Sequence, residues 1–206
     1  MKTGVTRRVW LPALLMASVS ATALADNSAL TLPVSQDWNN NGLITAANDW
    51  SGVPGFIGYR GDGLAAGTGA DAQTIVADGT GTPVNVNANQ TTPNSFTTGG
   101  VTEFQLTNST VALAGSGTAK APFLLLNLNT TGRETIHVAY TVRDLETGAD
   151  NAAQQVALQY RVGNSGDFTN IASAYIADAT TTGTPAGPDI TRDITLPAAA
   201  NNQSLV

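Results

Sequence analysis

The chain has 206 residues, with nine basic and fifteen acidic side chains and no cysteine. The lack of cysteine excludes a disulfide framework and any thiolate metal site. The net charge is −6, and the six basic residues beyond residue 25 are scattered singly, which argues against direct binding of nucleic acid because such binding requires clustered Lys and Arg.

Residues 1–25 have the three parts of a cleavable export signal. These parts are basic residues, an apolar stretch and a small-x-small cleavage site: Lys2, Arg7 and Arg8; Val9 to Ala17; Ala23-Leu24-Ala25. The stretch is too short to span a bilayer, so no transmembrane anchor is expected. We therefore predict a secreted protein that begins at Asp26, exported by the general secretory route or, given Arg7-Arg8, by the twin-arginine route. Residues 26–206 keep six basic and fifteen acidic side chains, a net charge of −9.

Two segments of the mature chain alternate strongly enough to predict long strands. Within Glu134 to Leu145, apolar residues occupy every second position from Ile136 to Val142. From Gln154 to Val162, apolar residues again alternate with polar ones. The two strands, joined through residues 146–153, are predicted to form an antiparallel pair with one buried face.

Shorter strands are predicted between turn-forming residues: Gly55–Tyr59, Gln73–Ala77, Val101–Leu106, Thr110–Leu113, Pro122–Leu128, Phe168–Ile171 and Ile190–Leu196. Many short strands separated by turns favour an all-β fold, here an antiparallel, jelly-roll-like β-sandwich in residues 26–206. The segment 78–99 is predicted to be a loop. Ser204-Leu205-Val206 resembles the start of a strand, so we expect the sandwich to be truncated at its C-terminal strands and the sequence to be a piece of a longer protein.

A first candidate metal site is the loop from Asp37 to Asn48. Asp37, Asn39 and Asn41 have the spacing of the first oxygen ligands of an EF-hand-type calcium loop, and Gly42 allows its tight turn. Asn48 takes the place of the usual bidentate Glu, which weakens calcium affinity. The alternative interpretation is an Asx-rich turn.

A second candidate metal site is the acidic connection after the first long strand. Asp144, Glu146 and Asp150 place three carboxylates within seven residues. Carboxylate oxygens suit calcium, the one cofactor that the sequence suggests. The alternative interpretation is a solvated acidic loop.

Residues suited to catalysis do not form a recognisable set. His137 is the only histidine, which excludes a metal site with several imidazoles in this segment. Ser165 lies in a glycine-rich turn beside Gly163, and it is predicted to form a hairpin turn and not to serve as a nucleophile. We therefore predict no catalytic residue here.

Two further features have a binding interpretation and a structural one. Arg60-Gly61-Asp62 is the tripeptide that some adhesion receptors read, but it is also ordinary turn chemistry. Aromatic residues such as Trp50 could supply a platform for stacking a sugar, or they could be core residues, as expected for Tyr140 and Tyr160.

Several segments resemble a module near the N-terminus of large secreted bacterial proteins. They are Asn48–Gly55, Gly58–Asp62, Gly99–Phe104, Val142–Asp144 and Val156–Gly163. Some of those proteins carry a downstream endonuclease/exonuclease/phosphatase or lamin-tail domain, and others carry immunoglobulin-like or surface-anchoring regions. The resemblance covers about Leu32 to Gln203 and carries over no catalytic residue.

Three functions follow from these observations. The first is a non-catalytic module for binding, spacing or surface attachment in a larger exported protein. The second is the accessory N-terminal domain of a secreted metal-dependent endonuclease or phosphoesterase. The third is a carbohydrate-binding module. The expected partners are downstream domains of the same polypeptide and an extracellular glycan or cell surface.

Overall fold

The computed structural model describes residues 25–146, 153–180 and 189–206. The predicted export signal, apart from its last residue, lies outside them. In this part of the chain the regular structure is eleven β-strands and five single-turn 3-10 helices, so the fold is all-β as predicted. No helix among these residues is long and apolar enough to cross a membrane.

The strands are β1 Leu30–Thr31, β2 Phe56–Tyr59, β3 Asn87–Gln90, β4 Gly100–Phe104, β5 Thr110–Ala114, β6 Phe123–Leu126, β7 Leu128–Asn129, β8 His137–Val142, β9 Gln159–Tyr160, β10 Thr169–Asn170 and β11 Ile190–Thr195. The 3-10 helices are Ala72–Thr74, Gly79–Gly81, Pro93–Ser95, Ala172–Ala174 and Ala198–Ala200. The described strands form five small, open sheets. Four are strand pairs, β1 with β7, β2 with β6, β8 with β11 and β9 with β10, and the fifth has the order β3-β4-β5.

The first apolar core packs around Trp50, which is 0% exposed. Its other buried members come from β2, from β4 and from the segments beside them: Ile44, Val53, Ile57, Tyr59, Val86 and Val101. The indole Nε1 of Trp50 donates a hydrogen bond to the carbonyl oxygen of Asn85 at 3.1 Å. Because the polar end of the ring is satisfied, its whole surface can be buried without an unpaired donor.

The second apolar core lies under the pair formed by β8 and β11. Its buried members are Ile136, Ile171, Ala174, Ile194, Leu196 and Ala200. Along β8 the burial alternates, with Val138 and Tyr140 half-buried and His137, Ala139 and Thr141 exposed. The period-2 pattern of the sequence therefore identified the inner face of this strand correctly.

The predicted pairing of the two long strands is wrong. β8 pairs antiparallel with β11, with Val138 opposite Ile194, whereas β9 pairs antiparallel with β10, with Tyr160 opposite Thr169. Only two residues of the segment 154–162 form a regular strand. Gln159, one of these two residues, also donates its side-chain amide to the carbonyl oxygens of Ala72 and Ile75, at 3.2 and 3.1 Å.

The predicted strand at 73–77 is also wrong. Residues Ala72–Thr74 form a 3-10 helix whose first turn is capped by Asp71, because Asp71 Oδ1 accepts from the backbone N–H of Gln73 at 3.0 Å. A short acceptor side chain at this position favours a turn over an extended strand.

The segment 78–99, predicted to be a loop, contains β3. Asparagines at every second position bind β4 through their side chains: Asn85 Oδ1 accepts from the N–H of Val101 at 2.8 Å, and Asn87 Nδ2 donates to the Val101 carbonyl at 3.1 Å. Val86, between them, faces the first core. The alternation of Val or Ala with Asn was a strand signal, and the loop-like composition concealed it.

Gly61 and Gly63 offer a matched pair of substitutions, because both have a φ near +70°. A Cβ on Gly61 would lie 1.8 Å from the carbonyl oxygen of Ala121, whereas a Cβ on Gly63 would meet no atom within 4 Å. Gly63→Ala is therefore expected to cost about 1 kcal/mol of backbone strain, and Gly61→Ala about 3 kcal/mol because the clash adds to the strain. Urea unfolding of both variants measures the difference, and equal costs would contradict the close packing at Gly61.

Candidate functional site

Two segments distant in sequence are joined at one end of the second core. The buried hydroxyl of Thr130 donates to the carbonyl oxygen of Ala200 at 2.6 Å. The backbone N–H of Asn202 donates to the Arg133 carbonyl at 2.9 Å, and Asn202 Oδ1 accepts from the N–H of Gly132 at 2.8 Å. These bonds fix the turn after Thr130 against the turn that follows the last 3-10 helix.

Two adjoining depressions lie along this junction. One has a volume of about 410 Å³ and is lined by Gly132, Arg133, Glu134, Asn201 and Asn202. The other has a volume of about 270 Å³ and is lined by Leu32, Pro33, Arg133, Glu134, Thr135, Ile136 and His137. Arg133 and Glu134 line both depressions, and we call the two neighbouring depressions together the loop groove.

Three polar side chains of the loop groove, those of Arg133, Glu134 and Asn201, are available for a ligand. The side chains of Arg133 and Glu134 are exposed, and neither has a hydrogen-bond or ion-pair partner among the described residues. The side-chain amide of Asn201 also lacks a partner there, and its Oδ1 is buried, which leaves Nδ2 as the end that can meet a ligand. The loop groove thus presents donors from Arg133 and Asn201 and acceptors from Glu134.

The backbone of the loop groove is strained. Thr135 has a φ of +55° and Asn202 a φ of +54°, both in the left-handed region. Asparagine tolerates this region, but it is unusual for a β-branched residue such as threonine. The strain is maintained because Ile136, the next residue, is buried in the second core. Backbone strain of this kind is concentrated at functional sites in proteins.

His137 lies at the edge of the loop groove on the exposed face of β8. Its Nδ1 is 3.1 Å from Asp193 Oδ1, and its Nε2 is 3.5 Å from the hydroxyl of Thr195, both on β11. Ser165 lies between two glycines of positive φ, in the turn that joins β9 to β10. The carboxylate partner of the imidazole is therefore Asp193, on the neighbouring strand, and Ser165 belongs to a separate turn.

In the first candidate calcium loop, two of the three candidate ligands accept hydrogen bonds through a side-chain oxygen. Asp37 Oδ1 accepts from the N–H of Asn39 at 3.0 Å, and Asn41 Oδ1 accepts from the hydroxyl of Ser109 at 3.1 Å. The backbone bond from Asn39 holds the pKa of Asp37 below its ordinary value. This is the geometry of an Asx turn, and the calcium interpretation of the loop stays a prediction.

The second candidate calcium site is described only in part. Asp144 Oδ1 accepts from the N–H of Glu146 at 3.0 Å, again a local turn, while Asp150 lies outside the described residues. Throughout the described ranges, no group of three or more His, Cys, Asp or Glu residues is placed to hold a metal ion. Calcium at Asp144, Glu146 and Asp150 stays a prediction.

The Arg60-Gly61-Asp62 tripeptide is folded on itself. Arg60 Nε and Nη2 donate to the two carboxylate oxygens of Asp62 at 2.7 and 2.5 Å. The side-chain hydrogen bond from Arg60 holds the pKa of Asp62 below its ordinary value. Both charged groups that an adhesion receptor would read are therefore paired with each other, which favours the interpretation as a structural turn.

Aromatic residues considered for sugar stacking belong to the cores. Trp50 is completely buried, so it is a core residue and not a platform for sugar stacking. Tyr59 is 6% exposed and stacks on Phe123 at a centroid distance of 5.0 Å. Trp38 is only half-buried, yet it packs edge-on against Phe56 at 5.3 Å. These rings stabilise the first core.

Glu103 on β4 is a buried carboxylate that the sequence analysis did not single out. It is 4% exposed, and its Oε2 accepts from the N–H of Asn89 at 2.5 Å. Its Oε1 is buried and has no hydrogen-bond partner within the described ranges. The sequence signal for it was weak, because Glu103 interrupts the β4 strand pattern with a single charge.

The residues of the loop groove were also missed, because residues near 133 and 201 come together only through the tertiary fold. The available local signals were the Thr131-Gly132 turn and the Asn201-Asn202 pair, both typical of loops in general. Comparisons with protein-family models, with curated proteins and with solved structures find no match for this chain.

Proposed function

We propose that this chain is a non-catalytic module of a larger exported bacterial protein, and that it attaches the protein to an extracellular ligand through the loop groove. The observation that carries the proposal is an open depression lined by the side chains of Arg133 and Glu134, which have no partner in the part of the chain that the structure describes. Export by residues 1–25, the jelly-roll-like sandwich and the resemblance to N-terminal modules of secreted proteins belong to the same proposal.

The chemistry of the lining favours binding over catalysis. Its side chains offer hydrogen-bond donors and acceptors on a fixed backbone, which is what recognition of a polar ligand needs. Covalent catalysis needs a nucleophile in hydrogen-bond contact with a base, and the described lining residues supply no such pair.

Depletion from solution by insoluble polysaccharides and by bacterial envelope fragments tests the proposal. The double variant Arg133→Met, Glu134→Gln is expected to bind the depleting material at least tenfold more weakly than the unmodified protein. The reason is that the charge-assisted hydrogen bonds of both side chains to the ligand are lost. Both residues are exposed, so the thermal midpoint should change little.

The control variant is Lys120→Met, which removes a surface cation that does not line the loop groove. It should bind as the unmodified protein does. The absence of depletion by any of the materials, or equal depletion of the double variant, would count against the proposed function.

A further inference from the structure

The polar part of the loop groove carries both donors and acceptors. Arg133 offers up to five N–H groups, and Asn201 Nδ2 adds two more, while Glu134 offers two carboxylate oxygens. A ligand that satisfies all three side chains must both accept and donate hydrogen bonds over a short distance. Neighbouring hydroxyl groups do this, because each accepts from a guanidinium or amide and donates to a carboxylate.

The charges oppose an anionic ligand. Glu134 lines both depressions, so an acidic group bound by Arg133 would lie near another carboxylate. The net charge of −9 on residues 26–206 also repels polyanions over the Debye length. These features favour an uncharged ligand over a uronic acid or a phosphate.

The second depression supplies an apolar surface beside the polar one. Leu32, Pro33 and Ile136 contribute hydrocarbon to its lining. Pro33 is exposed, so its ring can contact a ligand, whereas Ile136 is buried in the second core. A sugar ring has one face of C–H groups and a rim of hydroxyls, which fits an apolar wall next to hydrogen-bonding groups.

We infer that the loop groove binds a neutral oligosaccharide through two adjacent subsites. One ring presents two neighbouring hydroxyls to Arg133, Glu134 and Asn201, and the next ring lies against Pro33. This inference rests on the proposed function and names the ligand class for the same site. The larger depression, at about 410 Å³, falls within the range of small-ligand sites, about 300–1,000 Å³.

Calorimetric titration with neutral gluco-, manno- and N-acetylglucosamine oligosaccharides of one to four rings tests the inference. For the series that binds, affinity is expected to rise from one ring to two and then to level off. Pro33→Ser should remove most of the gain from the second ring and leave the affinity for a single ring unchanged. Affinity that keeps rising to four rings, or that is unaffected by Pro33→Ser, would overturn the two-subsite arrangement.

Glu134→Gln distinguishes a neutral ligand from an acidic one. For a neutral sugar, replacing the carboxylate with an amide is expected to weaken binding about fivefold, because a charge-assisted hydrogen bond becomes an ordinary one. For a uronic acid oligosaccharide the same change would strengthen binding, because a repulsion is removed. Binding of the neutral sugar should also be unchanged between 50 and 500 mM NaCl.

The outcomes separate this inference from the proposed function. If only uronic acid oligosaccharides bind, and Arg133→Met abolishes that binding, the loop groove is a binding site and the neutral ligand class is wrong. If no saccharide binds, and neither a polysaccharide nor an envelope fragment depletes the protein, both the inference and the proposed function fail. Lys120→Met serves as the control in every titration.

Discussion

Replacing Trp50 with alanine is expected to lower the free energy of unfolding by about 4 kcal/mol, measured by urea unfolding followed by circular dichroism. The side chain is 0% exposed and lies at the centre of the first core, so its removal leaves a large cavity. The carbonyl oxygen of Asn85 also loses its donor. Because domains of this size are stable by about 5–15 kcal/mol, the change is a large part of the total.

Trp50→Phe is the matched control for the cavity. It keeps an aromatic ring in the core and removes the hydrogen bond from Nε1 to Asn85, so it should cost about 2 kcal/mol. Equal urea midpoints for Trp50→Ala and the unmodified protein would contradict the buried position. The result also bears on function, since a loss of sugar binding in Trp50→Ala would report unfolding and not the loss of a stacking platform.

The inner face of β8 could be predicted from the sequence because the signal is local. Val138 and Tyr140 alternate with exposed residues, and any sheet that covers one side of this strand will bury them. The choice of β11 as the partner could not be predicted in the same way. Pairing depends on which other strand reaches the same core, and many short strands of similar composition compete for it.

The polar face of the segment 154–162 shows where the alternation pattern misleads. Its polar side chains were expected to face solvent, but Gln155 Oε1 accepts from the N–H of Ala72 at 3.2 Å and Gln159 binds the carbonyls of the same turn. These side chains satisfy the backbone of a segment more than 80 residues away. A pattern of period 2 distinguishes the two faces of a strand. It does not reveal whether another part of the chain covers the polar face.

The loop groove shows a similar limit for function. Arg133 and Glu134 follow an ordinary turn, and Asn201 is the C-cap residue of a 3-10 helix. The local sequence around each residue therefore does not indicate a binding site. Their proximity comes from buried hydrogen bonds such as that from Thr130 to Ala200. Sequence motifs for calcium were visible because they are contiguous, whereas a site assembled across 70 residues has no contiguous motif.

Replacing Arg161 with methionine is expected to lower the free energy of unfolding by about 3 kcal/mol, again by urea unfolding. The Arg161 side chain is 8% exposed, and its Nη1 lies 2.9 Å from Asp78 Oδ2. It also donates to the carbonyls of Gly166 and Asn164, at 2.9 and 3.1 Å, and covers the ring of Phe168 at 4.4 Å. Methionine keeps the hydrocarbon and leaves the carboxylate and two turn carbonyls without their donor.

A double-mutant cycle with Asp78→Asn separates the ion pair from the turn contacts, because only the former involves residue 78. We expect a coupling energy of about 1–2 kcal/mol at pH 7. Burial acts to raise the pKa of Asp78, but hydrogen bonds from Thr80 and the contact with Arg161 outweigh it and hold that pKa below its ordinary value. A carboxyl with a lowered pKa contributes stability above the pKa of the unfolded chain, about 3.9, and this contribution is lost as the pH falls through the folded value. The coupling should therefore be full at pH 7 and fall toward zero as the pH drops below the lowered pKa of the folded protein, and a coupling that stays constant throughout an acid titration would show that the Asp78 carboxylate does not stabilise Arg161.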